Sequence, residues 1–503
     1  MLHKADQIPM HNSFAALGTE FYSRVKPSPL INNLHLVHLN PDTAKLIDLN
    51  IGQNNSSIII DVFSGNKPIS GSDSLAMLYA GHQFGGYVSQ LGDGRAMIIG
   101  ETKNSRNESW EIQLKGSGIT PYSRDGDGRA VLRSTIREYL CSEAMHALGI
   151  STTRALCMIG SSDEVYRENI ETGAILTRLA PSHIRFGSFE VFYYRNQFEP
   201  IKTLASYTIK NHFPDLEGHS NCYALWLDAV IDRTAEMIAH WQAVGFCHGV
   251  MNTDNMSILG LTLDYGPFGF MEAFDPNYIC NHSDYQGRYS YAQQPKIGLF
   301  NLSCFAQAIL PLLHTEPETA GKIATQLLET YQQRYTDYYT TLMRTKLGLL
   351  DISGYTEVSQ NEPELISDLL SLMAKDRVDF TIFFRRLCHF NISQPEQNTS
   401  ICDLFLHTDE FEHWLKRYNT RLQQQDDSDQ ARQARMKRVN PKYVLRNYMA
   451  EAAIRKAQDN NDYGEIDRLL TLLQNPFDEQ PENESYAAFP PEWAQNISVS
   501  CSS

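Results

Sequence analysis

The sequence predicts an α+β fold, with a β-rich first part and a long helical second part. Three observations carry that prediction. Between residues 79 and 114 the runs YVSQLGDGRAMIIGE and SWEIQLKG are β-prone and are parted by polar turns at Gly92-Asp93-Gly94 and Lys103–Asn107, the pattern of three antiparallel strands. RAVLRSTIREYLCSEAMHAL, residues 129–148, sets Leu132, Ile136, Leu140 and Ala144 four apart and stops at Gly149, as an amphipathic helix with a glycine end signal does. Beyond about residue 200 helical periodicity takes over, first in YALWLDAVIDRTAEMIAHWQAVG, ending at Gly245, and then from 300 to 475.

The 503 residues, 42% of them hydrophobic, suffice for a sizeable core in two or three units. Residues 1–70 hold short apolar runs broken by Pro and Asn and are expected to form an irregular extension packed on a larger body. Residues 71–200 form the β-rich unit, with further strands around 153–160 and 173–179. Residues 201–475 form the helical unit, interrupted after its first helix by the loop-and-hairpin segment FCHGVMNTDNMSILGLTLDYG. Residues 476–503, with Pro490-Pro491 and the ending SVSCSS, are expected to be an extended, mobile tail. A net charge of −16 repels phosphate backbones and anionic lipid, so neither nucleic acid nor membrane is expected as a partner. No apolar run approaches the roughly 18 residues of a bilayer span, and MLHKADQIPMHNSF lacks the features of a secretory signal. The nine cysteines are scattered and never in C-x-x-C, which points to a reducing cytoplasm and to neither a zinc site nor a disulfide framework.

In Gly92-Asp93-Gly94-Arg95 the glycines let backbone N–H groups approach a phosphate and Arg95 adds charge, although a ligand-free hairpin turn is the simpler account of the motif alone. It gains weight from Lys115 at the end of the third strand and Glu138 in the helix that follows. In protein kinases a glycine-rich hairpin, a strand lysine and a helix glutamate assemble a phosphate clamp. A kinase catalytic loop reads H-x-D-x-x-x-x-N. Here His248 and Asn255 keep that spacing, but Val250 stands where the aspartate base belongs, and the nearest carboxylate is Asp254. After a short hairpin at 256–263, Asp264-Tyr265-Gly266 resembles D-F-G, and Asn255 with Asp264 would hold a divalent cation bridging ATP phosphates. Kinases cradle adenine in the region matching AILTRLAPSHIRFGSFE, which here carries Arg178 and Arg185; guanidiniums suit phosphates. The simple inference is a reversed ATP, triphosphate tail inward, with its α-phosphorus facing the acceptor.

At this point the chain resembles the selenoprotein O family of kinase-fold protein adenylyltransferases. The blocks YAGHQFGGYVSQLGDGRA, WEIQLKGSGITPYSRDGDGRAVLRSTIREYL and HGVMNTDNMSILGLTLDYGPFGFMEAFDP carry the likeness, which runs from about residue 20 to the C-terminus. The resemblance implies a bilobal kinase-like fold, a β-rich N-lobe and a helical C-lobe extended by further helices and the tail. It implies transfer of AMP from ATP to Ser, Thr or Tyr hydroxyls of proteins with Mg²⁺ or Mn²⁺, and leaves open whether UTP also serves. Carried onto matching positions, it implies nucleotide contacts at Gly92, Gly94, Arg95, Lys115, Asp127, Gly128, Arg178, Arg185 and Asp264. It implies Asp254 as proton acceptor, Asn255 and Asp264 as metal ligands, and Glu138 as the partner that positions Lys115. Without the resemblance, Asp127-Gly128 reads as a turn. Family members carry a redox-active residue near the C-terminus, which implies Cys501 here, with Cys280 expected as its partner in a reversible disulfide. Two alternatives stay open: a kinase using Asp254 as base for the γ-phosphoryl group, and a non-catalytic nucleotide-binding scaffold, which Val250 favours.

Overall fold

Apolar and β-branched content makes AMIIGETK and SWEIQLK the centre of a sheet. In the computed structural model, which describes residues 2–52, 55–350 and 362–500, they are β6 (Ala96–Lys103) and β7 (Ser109–Lys115), strands being numbered along the chain. The eight-stranded antiparallel sheet runs in the order β1 (Tyr22–Arg24), β3 (Leu75–Met77), β6, β7, β10 (Ile170–Ala180), β9 (Arg154–Tyr166), β2 (His35–Leu39), with β8 (Ala130–Val131) pairing β10 beside that path. Both faces are covered, so the strand runs are almost continuously apolar rather than alternating. On one face Leu75, Ile98 and Leu176 meet Ile136 and Leu140 of α1 (Leu132–Ala147). On the other, Ile99, Ile112 and Leu156 meet Ile59, Val62 and Phe63 of the helix Ser56–Phe63.

The first 70 residues therefore differ from the irregular extension the sequence suggests. They supply the strands at both ends of the sheet path and the helix that covers its second face. Strands of three and five residues, completed only by distant pairing, leave too short a local pattern to read. The strands expected across 79–114 also differ: only β6 and β7 lie in the main sheet. The preceding run instead forms a separate hairpin, β4 (Gly81–Gln83) with β5 (Gly86–Val88), and Gly92-Asp93-Gly94 is a loop. Asp93 ties that loop to β3: its carboxylate accepts the Met77 N–H at 3.1 Å and the Tyr79 hydroxyl at 3.3 Å. The hairpin expected at 256–263 is likewise absent; Ser257 bridges Arg185 and Thr262 bridges Thr152 instead. The strand pair at this place is β11 (Phe246–Cys247) with β12 (Gly269–Phe270), which brackets the loop between them.

The helical part begins with α2 (Gly187–Tyr193), α3 (Cys222–Ala243) and α4 (Gln294–Leu313). The end signals hold: Gly149 after α1 and Gly245 after α3 both take φ near +80° and +72°, a conformation that costs other residues energy. The stretch Tyr291–Leu313 is long and apolar enough to cross a membrane by composition, yet packs in the core against α2 and α3. The last helices, Asn447–Asn460 and Gly464–Gln474, return to α1. There Arg137 donates to the Phe268 carbonyl and to Asn447 Oδ1, 3.0 and 3.2 Å away, fixing the helix that carries Glu138. The described part of the tail is largely exposed and makes a few specific contacts with the body. Glu479 binds Arg385 and Lys442, and against its burial these contacts hold its carboxyl at about 2. Near its end His282 N–H donates to Val499 O at 2.9 Å.

Lys346 closes the helix Tyr331–Lys346 with 4% of its surface exposed, its Nζ 4.3 Å from the centroid of the Phe384 ring. Burial lowers its ammonium to about 7. A base whose folded pKa is depressed carries a penalty that is complete below the folded value and fades as pH rises toward the unfolded value of about 10.4. Lys346→Met is therefore expected to stabilise the protein by about 2–4 kcal/mol at pH 6–7, the gain shrinking through pH 7–10. Denaturant unfolding at several pH values checks this; an equal gain at every pH would contradict it.

Candidate active site

Strand register assembles the first cluster. Gln113 and Lys115 are two apart on β7 and so share a face, and Arg178 of β10 lies opposite Gln113. Glu138 reaches this face from α1. One of its oxygens accepts Lys115 Nζ at 2.5 Å and the other Arg178 Nη1 at 2.9 Å. Arg178 Nε also donates to Gln113 Oε1 at 2.9 Å. Burial presses the Lys115 ammonium below its ordinary value while Glu138 opposes that shift.

Asp264 joins the cluster from below with φ +56°, a left-handed conformation that is uncommon outside glycine. Its Oδ1 accepts Arg178 Nη1 and its Oδ2 accepts Arg185 Nη1, each at 2.6 Å, and Lys115 Nζ stands 3.7 Å away. Burial works the other way, yet Arg185, Arg178 and Lys115 together hold the carboxyl well below the usual range. Arg185 also donates to the Asp254 carbonyl at 2.8 Å and lies 4.5 Å over the Tyr79 ring. Both arginines are almost wholly buried and hold Asp264 between them, Arg178 in the cleft lining and Arg185 behind it.

The loop between β11 and β12 supplies the second cluster. His248 is buried, stacked on Trp241 and bonded through Nε2 to the Leu263 carbonyl at 3.0 Å, so it is a structural pin of the loop. Asp254 sits in a 3-10 turn, Thr253–Asn255. Its Oδ2 accepts Gln83 Nε2 at 3.1 Å, its Oδ1 has no hydrogen-bond partner among the described residues, and burial pushes its carboxyl up to about 7. Asn255 Nδ2 donates to the Val250 carbonyl at 2.9 Å, which leaves Oδ1 as the available donor atom. A Cβ at Gly81 would lie 2.4 Å from Asp254 Oδ1. Gly81→Ala is thus expected to displace that carboxylate and lower turnover about 10–100-fold while the fold persists. Single-turnover rates and a melting curve test this; unchanged turnover would show that the carboxylate's position is immaterial.

These clusters meet at one cleft of about 460 Å³. Of the residues expected to act there, Gly92, Gly94, Arg95, Asp127, Gly128 and Asn255 line it, as do Lys115, Arg178, Asp254 and Asp264. Glu138 and Arg185 stand behind the lining. Asp127 is gripped by Arg167 at 2.8 and 2.9 Å, and Gly128 has φ +69° with no room for a Cβ, which would fall 2.2 Å from the Gly118 carbonyl. Asp93, Gln83 and Arg167 were missed by sequence reasoning. Only Asp93 carried a signal, its place between two glycines. Asn255 and Asp264 offer hard oxygen donors on one wall, beside the unpartnered Oδ1 of Asp254, and this donor set fits Mg²⁺ or Mn²⁺. Cys280 lies apart, buried, its thiol pushed well up by that burial and bonded to the Cys247 carbonyl at 3.4 Å. Cys501 lies outside the described residues.

A family model described as protein adenylyltransferase SelO matches residues 5–474. The chain is 52% identical over 498 residues to the protein nucleotidyltransferase YdiU of Thiobacillus denitrificans, covering 99% of each. It is 50% identical over 498 residues to the protein of the same name from Myxococcus xanthus, again 99% of each. With that of Thioalkalivibrio sulfidiphilus it shares 50% identity over 502 residues, the full length of both.

Proposed function

This chain belongs to the protein adenylyltransferase SelO family, and on that premise we propose that it transfers AMP from ATP to Ser, Thr or Tyr hydroxyls of target proteins, with ATP reversed relative to its seat in protein kinases. The observation that carries the reading is the buried charge network in which Lys115, Arg178 and Asp264 line the cleft, Glu138 and Arg185 hold them from behind, and Asp254 stands beside them. The lysine strand, the glutamate helix and the loop from His248 to Asp264 support a kinase-like two-lobed arrangement. Cations concentrated at the floor suit a triphosphate tail better than a purine, which supports the reversed orientation.

Mg²⁺ or Mn²⁺, when bound, would be held by Asn255 and Asp264 and would neutralise charge on the phosphate oxygens. Lys115, oriented by Glu138, presents its ammonium to the same oxygens, and Arg95 does so from the exposed wall. Asp254 orients the acceptor hydroxyl and takes its proton as the hydroxyl oxygen bonds to the α-phosphorus. The bond from that phosphorus to the oxygen shared with the β-phosphorus breaks, and pyrophosphate leaves with the electron pair. ATP labelled separately at the α- and γ-phosphorus tests the reading. Label from the α position alone should appear on protein; label from the γ position alone would make the chain a kinase, which the Lys115–Glu138 pair would serve equally well.

A regulatory disulfide between Cys280 and Cys501 belongs to the same proposal. The contact of His282 with Val499 supports it, because it brings the tail beside the segment that carries Cys280. Oxidation by a peroxide, two electrons and two protons leaving the thiols, should yield the linked peptides in a non-reducing digest. Finding both thiols free while activity still changes would refute it.

A further inference from the structure

The cysteine spacing gives no hint of a zinc site, yet the fold brings together ligands from three distant segments. His82 on β4, Glu190 on α2 and Cys304 on α4 each direct one donor atom into a common point, all three atoms within 4.8 Å of one another. Glu190 is completely buried and His82 nearly so, and His82 Nδ1 lies 2.6 Å from Glu190 Oε1. The rings of Tyr87 and Phe300 wall the imidazole at 5.2 and 5.9 Å. Ligands of a tetrahedral zinc ion at about 2.0–2.3 Å stand about 3.3–3.8 Å apart, so the 2.6 Å His82–Glu190 contact would open and any pair near the 4.8 Å limit would close, shifts of about an ångström that side-chain rotation supplies.

We propose that His82, Glu190 and Cys304 form a binding site for a zinc-class divalent cation, distinct from the oxygen-only set at the cleft. Imidazole, carboxylate and thiolate together select a borderline-soft ion over Mg²⁺, and three protein ligands leave a fourth position for water. Binding releases the Cys304 thiol proton to solvent. The surroundings tie the site to the reaction centre, a link that rests on the function proposed above. Thr253 donates its hydroxyl to Glu190 Oε2 and accepts the His82 N–H at 2.7 Å, and Thr253 is the chain neighbour of Asp254. Gln83, the neighbour of His82, is the side chain bonded to Asp254 Oδ2. An ion at this point therefore bears on the residues that aim Asp254.

Cobalt(II) titration of the metal-stripped full-length protein, with saturating Mg²⁺ present to fill the cleft site, tests the proposal without reference to activity. One equivalent should bind with a thiolate-to-cobalt charge-transfer band, and Zn²⁺ should displace it. Cys304→Ser should abolish the band, and His82→Asn should weaken binding at least 10-fold. No band in the wild type, or a band that persists in Cys304→Ser, would overturn the site. If Cys304→Ser does not fold, unaltered affinity in His82→Asn overturns it as well. Loss of adenylyl transfer in the wild type would count against the proposed function and leave the cobalt result untouched.

Discussion

Asp264→Ala is expected to abolish nucleotide transfer and to cost about 3–5 kcal/mol of stability in the same molecule, the two largest effects of any single substitution here. The stability loss follows from the neighbours. Arg178 and Arg185 each donate to this carboxylate at 2.6 Å and Lys115 stands 3.7 Å away, so its removal leaves three buried cations with Glu138 as the one carboxylate within ion-pair distance among the described residues. Repulsion and desolvation, rather than a lost contact, set the cost. The activity loss follows from the cleft, where the same carboxylate is a metal donor in the proposed reaction and the anchor that aims Arg178. Asp264→Asn keeps the shape but not the charge, so it should restore part of the packing and none of the transfer. Denaturant unfolding and α-labelled transfer measured on both variants check this. An alanine variant as stable as the wild type would mean that the arginines find other partners and that the network is not held by Asp264.

Asp254→Asn should separate the two effects. Transfer should fall about 10²–10⁴-fold, the range for losing a positioned general base. Stability should hold or rise slightly, because the wild-type carboxylate is buried, has an unpartnered Oδ1 and resists ionisation until about pH 7. Nucleotide affinity should be little changed, since the cationic floor of the cleft is intact. Turnover within a few-fold of the wild type would remove Asp254 from the reaction and leave positioning and charge neutralisation as the whole of catalysis.

How much of the site could be read before folding depends on how far apart its parts lie. Lys115 and Glu138 were legible because a strand and the next helix declare themselves by period and sit close in sequence. Asn255 and Asp264 were legible because one loop carries both. Asp127-Gly128 reads as a turn, but the turn lies just before it, closed by the Gly126 N–H on the Ser123 carbonyl; that the pair lines the cleft follows from Gly128 lying against Gly118, a contact between two loop backbones that no periodicity encodes. Arg178 and Arg185 were legible as a pair of guanidiniums but not as braces of Asp264, because a side chain's direction depends on strand register and on what fills the space beside it.

The sequence by itself determined the β6–β7 pair, the helix that follows it, the passage from sheet to helices, and the residue types of the loop from His248 to Asp264, all of which are written in periodicity and short spacing. Only the tertiary structure decided that residues 22–24 and 35–39 complete the sheet, that Arg185 lies behind the cleft wall, and that His82, Glu190 and Cys304 converge. The reason is physical. Hydrophobic period sets which face of an element is buried, whereas the meeting of side chains from separate elements is set by long-range pairing and packing, whose energy appears only when the whole core closes.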